Sequence, residues 1–110
     1  MTSAQTTVHF EAADLVVNPD PDLADLIPDF LNNRRRDMID INTAVSRSDF
    51  EFIRRSAHTL KGICRPYGFI YLETLSKRLE VAGQQEDLAE VKNIAAEMAV
   101  YLDRVQVVGL

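Results

Sequence analysis

The chain reads as an all-α protein, an up-and-down antiparallel four-helix bundle with a short N-terminal lead-in helix. Three observations carry that expectation. Apolar residues recur at steps of three and four through four successive segments. The breaks between segments are short and polar, so consecutive helices must run antiparallel. The chain has 110 residues with only four glycines and four prolines. That is too little turn chemistry for a many-stranded β fold, and long enough for one domain with a modest core.

The first segment, residues 1–19, has weak periodicity. Thr7-Val8-His9-Phe10 alternates like a short strand, but Asn18-Pro19-Asp20-Pro21-Asp22 breaks any element. The expected organisation is therefore an extended arm over 1–19 and a bundle over 20–108. Asp20 and Pro21 look like a helix start, a capping acid followed by a first-turn proline. Leu23, Leu26 and Ile27 make a short stripe, and Pro28 restarts or kinks the helix. From there to Arg47, Phe30, Leu31, Met38, Ile41, Ala44 and Val45 keep helical spacing. Ser48-Asp49 is a break and an N-cap.

The third segment runs from Asp49 to about Tyr67. Phe50, Ile53, Ala57, Leu60, Cys64 and Tyr67 form a clean buried stripe. Pro66 would lose the hydrogen bond to the Gly62 carbonyl and crowd it, so a kink or an early end is expected. Gly68 supplies a stop or a close approach. In the fourth segment Ile70, Leu72, Leu75, Leu79 and Val81 or Ala82 face inward, and Gly83 is expected to end the helix. The fifth segment, Leu88 to about Val107, buries Leu88, Val91, Ile94, Ala95, Met98, Tyr101, Leu102 and Val105. Glu90 and Glu97 are expected on its solvated outer face with Lys92 and Asn93.

Hydrophobic residues make up 46% and charged residues 26%, with a net charge of -5. That acidity argues against general nucleic-acid binding, which needs a basic surface. No apolar run approaches a membrane span of roughly 18 residues. The N-terminus lacks the basic and apolar regions of a secretory signal. One cysteine, Cys64, excludes an intramolecular disulfide and suits a reducing, cytoplasmic setting. The charge is uneven. Residues 1–33 carry acids alone, whereas Arg47 to Arg65 carries five bases against two acids.

His58 sits inside this basic segment. At 100° per residue it lies about 130° from the centre of its helix's buried stripe, so it faces solvent. Gly62 lies one turn on, at a cost of roughly 1 kcal/mol relative to alanine. Arg54 and Arg65 flank the same face, with Lys61 nearer the core edge. A neutral imidazole is a competent nucleophile near neutral pH, because its reference pKa is about 6.5. Surrounding cations favour that neutral form and attract a phosphoryl group. Phosphoryl transfer asks mostly for positioning and charge. A glycine beside the ring lets another protein's active site come close.

His58, Leu60, Lys61, Gly62 and Gly68 together resemble the signature of the histidine-containing phosphotransfer (HPt) domain family, His-x-Leu-Lys-Gly followed by a glycine ten residues after the histidine. Asp25-Leu26-Ile27-Pro28 and the residues after it, and Leu75 to Glu80, also look like the family's flanking helices. The resemblance covers roughly residues 20–107. It implies that His58 takes a phosphoryl group from the aspartyl phosphate of one receiver domain and passes it to the aspartate of another. It implies a carrier without autonomous catalysis and without a cofactor. Lys61 would steady the phosphoryl oxygens, Gly62 would make room, and Arg54 and Arg65 would help bind. The partners implied are response-regulator receiver domains and a hybrid sensor histidine kinase. Members usually have small residues where this chain has Cys64, Arg65 and Pro66, with the largest departure at Arg65 and Pro66. Members often place a polar residue of the next helix against the histidine, and Glu80 is the candidate here.

The remaining polar residues read more plainly. His9 lies in the arm and is given no role. Arg34, Arg35 and Arg36 read as a solvated helix face in preference to a patch that binds an acidic partner. Cys64 reads as a small core residue, with no activating base at a suitable spacing. No pair of ligands accompanies His58 at metal-binding spacing. The four stripes can satisfy one another, which predicts a monomer. The competing reading is a helical adaptor that binds receiver-like or other partners without being phosphorylated. The two part at His58→Gln, which abolishes function in the first and is nearly silent in the second.

Overall fold

The structure is a computed structural model that describes residues 6–109. Residues 1–5 of the expected arm lie outside the described residues. Four helices dominate it: α1 (Ile27–Ser46), α2 (Phe50–Cys64), α3 (Ile70–Gln84) and α4 (Leu88–Arg104). Each packs on two others: α1 against α2 and α4, and α3 against α2 and α4. The four apolar stripes meet in one core, with Ile27, Ile41, Ile53, Ala57, Leu75, Leu79, Val91 and Tyr101 fully buried. No helix of the described residues is long and apolar enough to cross a membrane.

The lead-in is a 3-10 turn, Pro21–Leu26, that runs straight into α1. Asp20 caps it by accepting the Asp22 N–H at 2.9 Å, and Pro28 falls in the first turn of α1, where its missing donor costs nothing. The α1–α2 and α3–α4 turns are built alike. Ser48 and Glu86 adopt left-handed conformations, φ +52° and +54°, and the next residue is in each case an aspartate that caps a helix. Asp49 accepts the Phe52 N–H, and Asp87 accepts the Glu90 N–H, both at 3.1 Å.

Pro66 ends α2 early. The helix stops at Cys64, a 3-10 turn spans Arg65–Tyr67, and Gly68 turns the chain with φ +89°. Phe30 of α1 stacks on Tyr67 and Phe69, centroids 4.4 and 4.9 Å apart, and pins this end to the bundle. Arg65 adds a two-pronged ion pair to Glu73 of α3, at 3.0 and 2.7 Å.

Four sequence expectations are corrected. Gly83 does not end α3, which continues to Gln84; it is buried where α3 touches the backbone of α2. Ile70 is 47% exposed, because it opens α3 at the rim rather than facing inward. Glu97 is not on the solvated face but 1% exposed. It accepts the backbone N–H of His9 at 2.8 Å and the Tyr71 hydroxyl at 2.6 Å. Arg34 and Arg35 are not merely solvated: Arg34 bonds Asp37 at 2.8 Å and lies over the Phe30 ring, and Arg35 donates to the Leu102 carbonyl.

The strand-like alternation of residues 7–10 does not become a strand. A 3-10 turn forms at Ala12–Leu15. Val16–Val17 (β1) then pairs in parallel with Gln106–Val107 (β2), tying the two ends of the described chain together. Phe10 meets Tyr71 and Tyr101 edge-on, at 6.0 and 6.1 Å.

Candidate functional site

His58 lies on α2, four residues past Arg54 and four before Gly62, on the edge that faces α3. Its side chain is 66% exposed. α3 runs antiparallel beside it and presents Glu73, Lys77 and Glu80 along the facing row. Arg65 meets Glu73 at one end. Seven residues back along α2 and seven on along α3, His58 meets Glu80.

The core of the site is a three-residue network. His58 Nδ1 lies 2.8 Å from Glu80 Oε2, and Lys61 Nζ donates to Glu80 Oε1 at 2.8 Å. The Lys61 ammonium above all, and then the His58 contact, hold the Glu80 carboxyl below the usual carboxylate range against the opposing effect of its burial. Glu80 is therefore an anion at neutral pH. A carboxylate only accepts hydrogen bonds, so Nδ1 must carry the proton. In the neutral ring Nε2 then holds the free lone pair. Nε2 has no hydrogen-bond partner among the described residues. The result is an exposed nucleophilic nitrogen on a ring whose tautomer and orientation are set from behind.

The expectation of a surround made of cations is corrected here. The ring's hydrogen-bond partner is an anion, and Lys61 meets the same carboxylate. Arg54 is engaged by Glu51 at 2.7 Å and Arg65 by Glu73, so neither touches the imidazole. Glu80 is the residue that the sequence nominates to meet the histidine, and its charge has a use there. The use is directional, since only an ionised partner dictates which ring nitrogen is protonated.

Gly62 is exposed, and a methyl group added there would meet nothing within 4 Å. The space one turn from His58 is open. Beside α2, toward α1, a shallow groove is lined by Phe52, Arg55, Ser56, Thr59, Leu60 and Ile63, with Arg34 and Asp37 opposite. Cys64 is fully buried, and burial pushes its thiol up to about 12, far from a working nucleophile. Among the described residues no cluster of three histidine, cysteine or acidic side chains could hold a metal ion.

The model of the family described as Hpt domain matches residues 25–106, from the lead-in turn to the strand after α4. No curated protein and no solved structure matches the chain. Domains of this kind are phosphocarriers that take part in histidine phosphotransfer within phosphorelays. The matched span takes in all four helices and the exposed histidine with its network, and the chain belongs to the Hpt domain family.

Proposed function

We propose that His58 carries a phosphoryl group between receiver-domain aspartates in a two-component phosphorelay. The observation that supports this best is the exposed imidazole whose Nδ1 is bound to Glu80 while Nε2 is left to solvent. The Nε2 lone pair attacks the phosphorus of an aspartyl phosphate. The N–P bond forms, the P–O bond to the aspartate breaks, and the carboxylate leaves. The proton already on Nδ1 stays there, so the phosphorylated ring carries a positive charge against the Glu80 anion. The reverse step delivers the group to the next aspartate. No proton has to move, in keeping with a reaction that depends on positioning and charge.

Lys61 commits one of its three donors to Glu80, and the others face the phosphoryl oxygens. Gly62 admits the partner. Arg54 and Arg65, 37% and 63% exposed, form a positive rim for an acidic partner face. Phe52 and Ile63, partly buried in the groove beside α2, supply the apolar part of the docking surface. The receiver supplies the acceptor aspartate and the catalytic groups around it, so the chain acts as a carrier and works as a monomer in the cytoplasm. The phosphotransfer unit is the bundle over 20–108, and the described part of the arm that precedes it packs on the bundle through Phe10 and Val17.

The test is transfer from phosphorylated receiver domains to this chain, read as acid-labile phosphate. The expected result is label on the wild type and on His9→Gln and none on His58→Gln. The absence of label from every receiver tested, on folded protein, would move the reading to a binding adaptor.

A further inference from the structure

Gly62 and Gly83 both sit inside helices, and neither has a positive φ. Their surroundings are opposite. A methyl group at Gly62 meets nothing within 4 Å. At Gly83 it would lie 3.3 Å from the backbone nitrogen of Arg54, 3.4 Å from its Cα and 3.5 Å from its Cβ. The atoms met are helix backbone and not the end of a flexible side chain, so the few tenths of an ångström that a methyl group needs are gained by α2 and α3 moving apart.

The position of this contact matters. Gly83 follows Glu80 by three residues, and Arg54 precedes His58 by four. Each is therefore one turn from its partner on the same helix face. The Arg54–Gly83 contact is the rung of the α2–α3 seam next to the His58–Glu80 rung. Glu80 is held from α2 at two points, His58 and Lys61, both at 2.8 Å. If α3 retreats, the two holds do not respond alike. Lys61 has a long flexible stem and can follow the carboxylate. The imidazole turns on two torsions only and cannot.

We propose that Gly83 is a positioning residue for His58: its missing side chain sets the α2–α3 separation at which Glu80 reaches Nδ1. The inference rests on the phosphotransfer reading for its consequence, a phosphoryl-accepting Nε2, but the geometry can be tested without any phosphoryl donor. The experiment is the long-range 1H–15N spectrum of the His58 ring near pH 8, where a free imidazole is neutral. It compares wild type, Gly83→Ala, Gly83→Val and Gly62→Ala, with far-UV circular dichroism on each.

The expected result is a ring protonated at Nδ1 in the wild type and in Gly62→Ala. In folded Gly83→Ala the two ring nitrogens are expected to move toward each other as the Nε2-protonated tautomer appears, and further in Gly83→Val. If the valine variant does not fold, the alanine variant decides. A Gly83→Ala ring spectrum that overlays the wild type overturns the proposal, as does an equal change in Gly62→Ala. Failure of the wild type to accept phosphate from any receiver would sink the phosphotransfer reading and leave this spectrum untouched.

Discussion

At His58 the hydrogen bond to Glu80 Oε2 leaves one ring nitrogen for chemistry, and the charge on that carboxylate makes the bond directional. Glu80→Gln keeps the shape and loses the direction, because an amide can accept from Nδ1–H or donate to bare Nδ1. Phosphotransfer is expected to slow several-fold in Glu80→Gln while the fold stays, measured as the initial rate of label transfer. The same charge has a pH signature. Glu80 and Glu73 both have carboxyls held below the usual range, chiefly by hydrogen bonds from Lys61 and Arg65 respectively. A carboxyl with a depressed folded-state pKa stabilises the fold above its unfolded value, about 4.3, and loses that contribution as pH falls through the folded value. The urea midpoint is expected to drop below about pH 4, and the drop to be smaller in Glu80→Gln. The candidate site could be nominated from sequence because His58, Lys61 and Gly62 lie within one turn of each other. The Glu80 contact spans 22 residues, so sequence could nominate the residue but not the sign of its effect.

Along the helices, the periodic stripes were easy to read because each is long and regular, and the caps followed from acids placed at the breaks. Asp87, which caps α4, carries the same kind of signal with Glu90 three residues on but is not among the caps expected from sequence. What pattern could not reveal was contact between elements. A buried glycine and a terminal glycine look the same in sequence, which is why Gly83 read as a stop. Glu97 read as solvated because charge usually is, whereas its partners come from His9 and Tyr71, far away in the chain. Two predictions follow from these environments. Gly62→Ala should raise stability by about 1 kcal/mol, since the helix gains propensity and nothing is met, yet slow transfer from receivers by crowding their approach. Glu97→Ala should cost roughly 2 kcal/mol, because the His9 backbone donor and the Tyr71 phenol, both in part-buried hydrogen bonds, lose their acceptor together; chemical denaturation reads both.

In the whole molecule the short parallel pair β1–β2 joins the beginning and the end of the described chain, and the α2–α3 edge carries the exposed chemistry. The net charge of -5 coexists with a seam where Arg54, Lys61, Arg65 and Lys77 outnumber the acids they meet. Capture of an acidic partner by that seam should slow as salt rises and the rim is screened over about 10 Å at 0.1 M. The rate of phosphotransfer, measured across a salt series, should fall for the wild type and fall less for Arg54→Ala. The decisive measurement is the identity of the phosphorylated nitrogen, read by phosphorus–nitrogen coupling in the 15N-labelled, phosphorylated protein. The account requires the phosphoryl group on Nε2 of His58 with a proton retained on Nδ1. A phosphoryl group on Nδ1, or on any other residue, would contradict it.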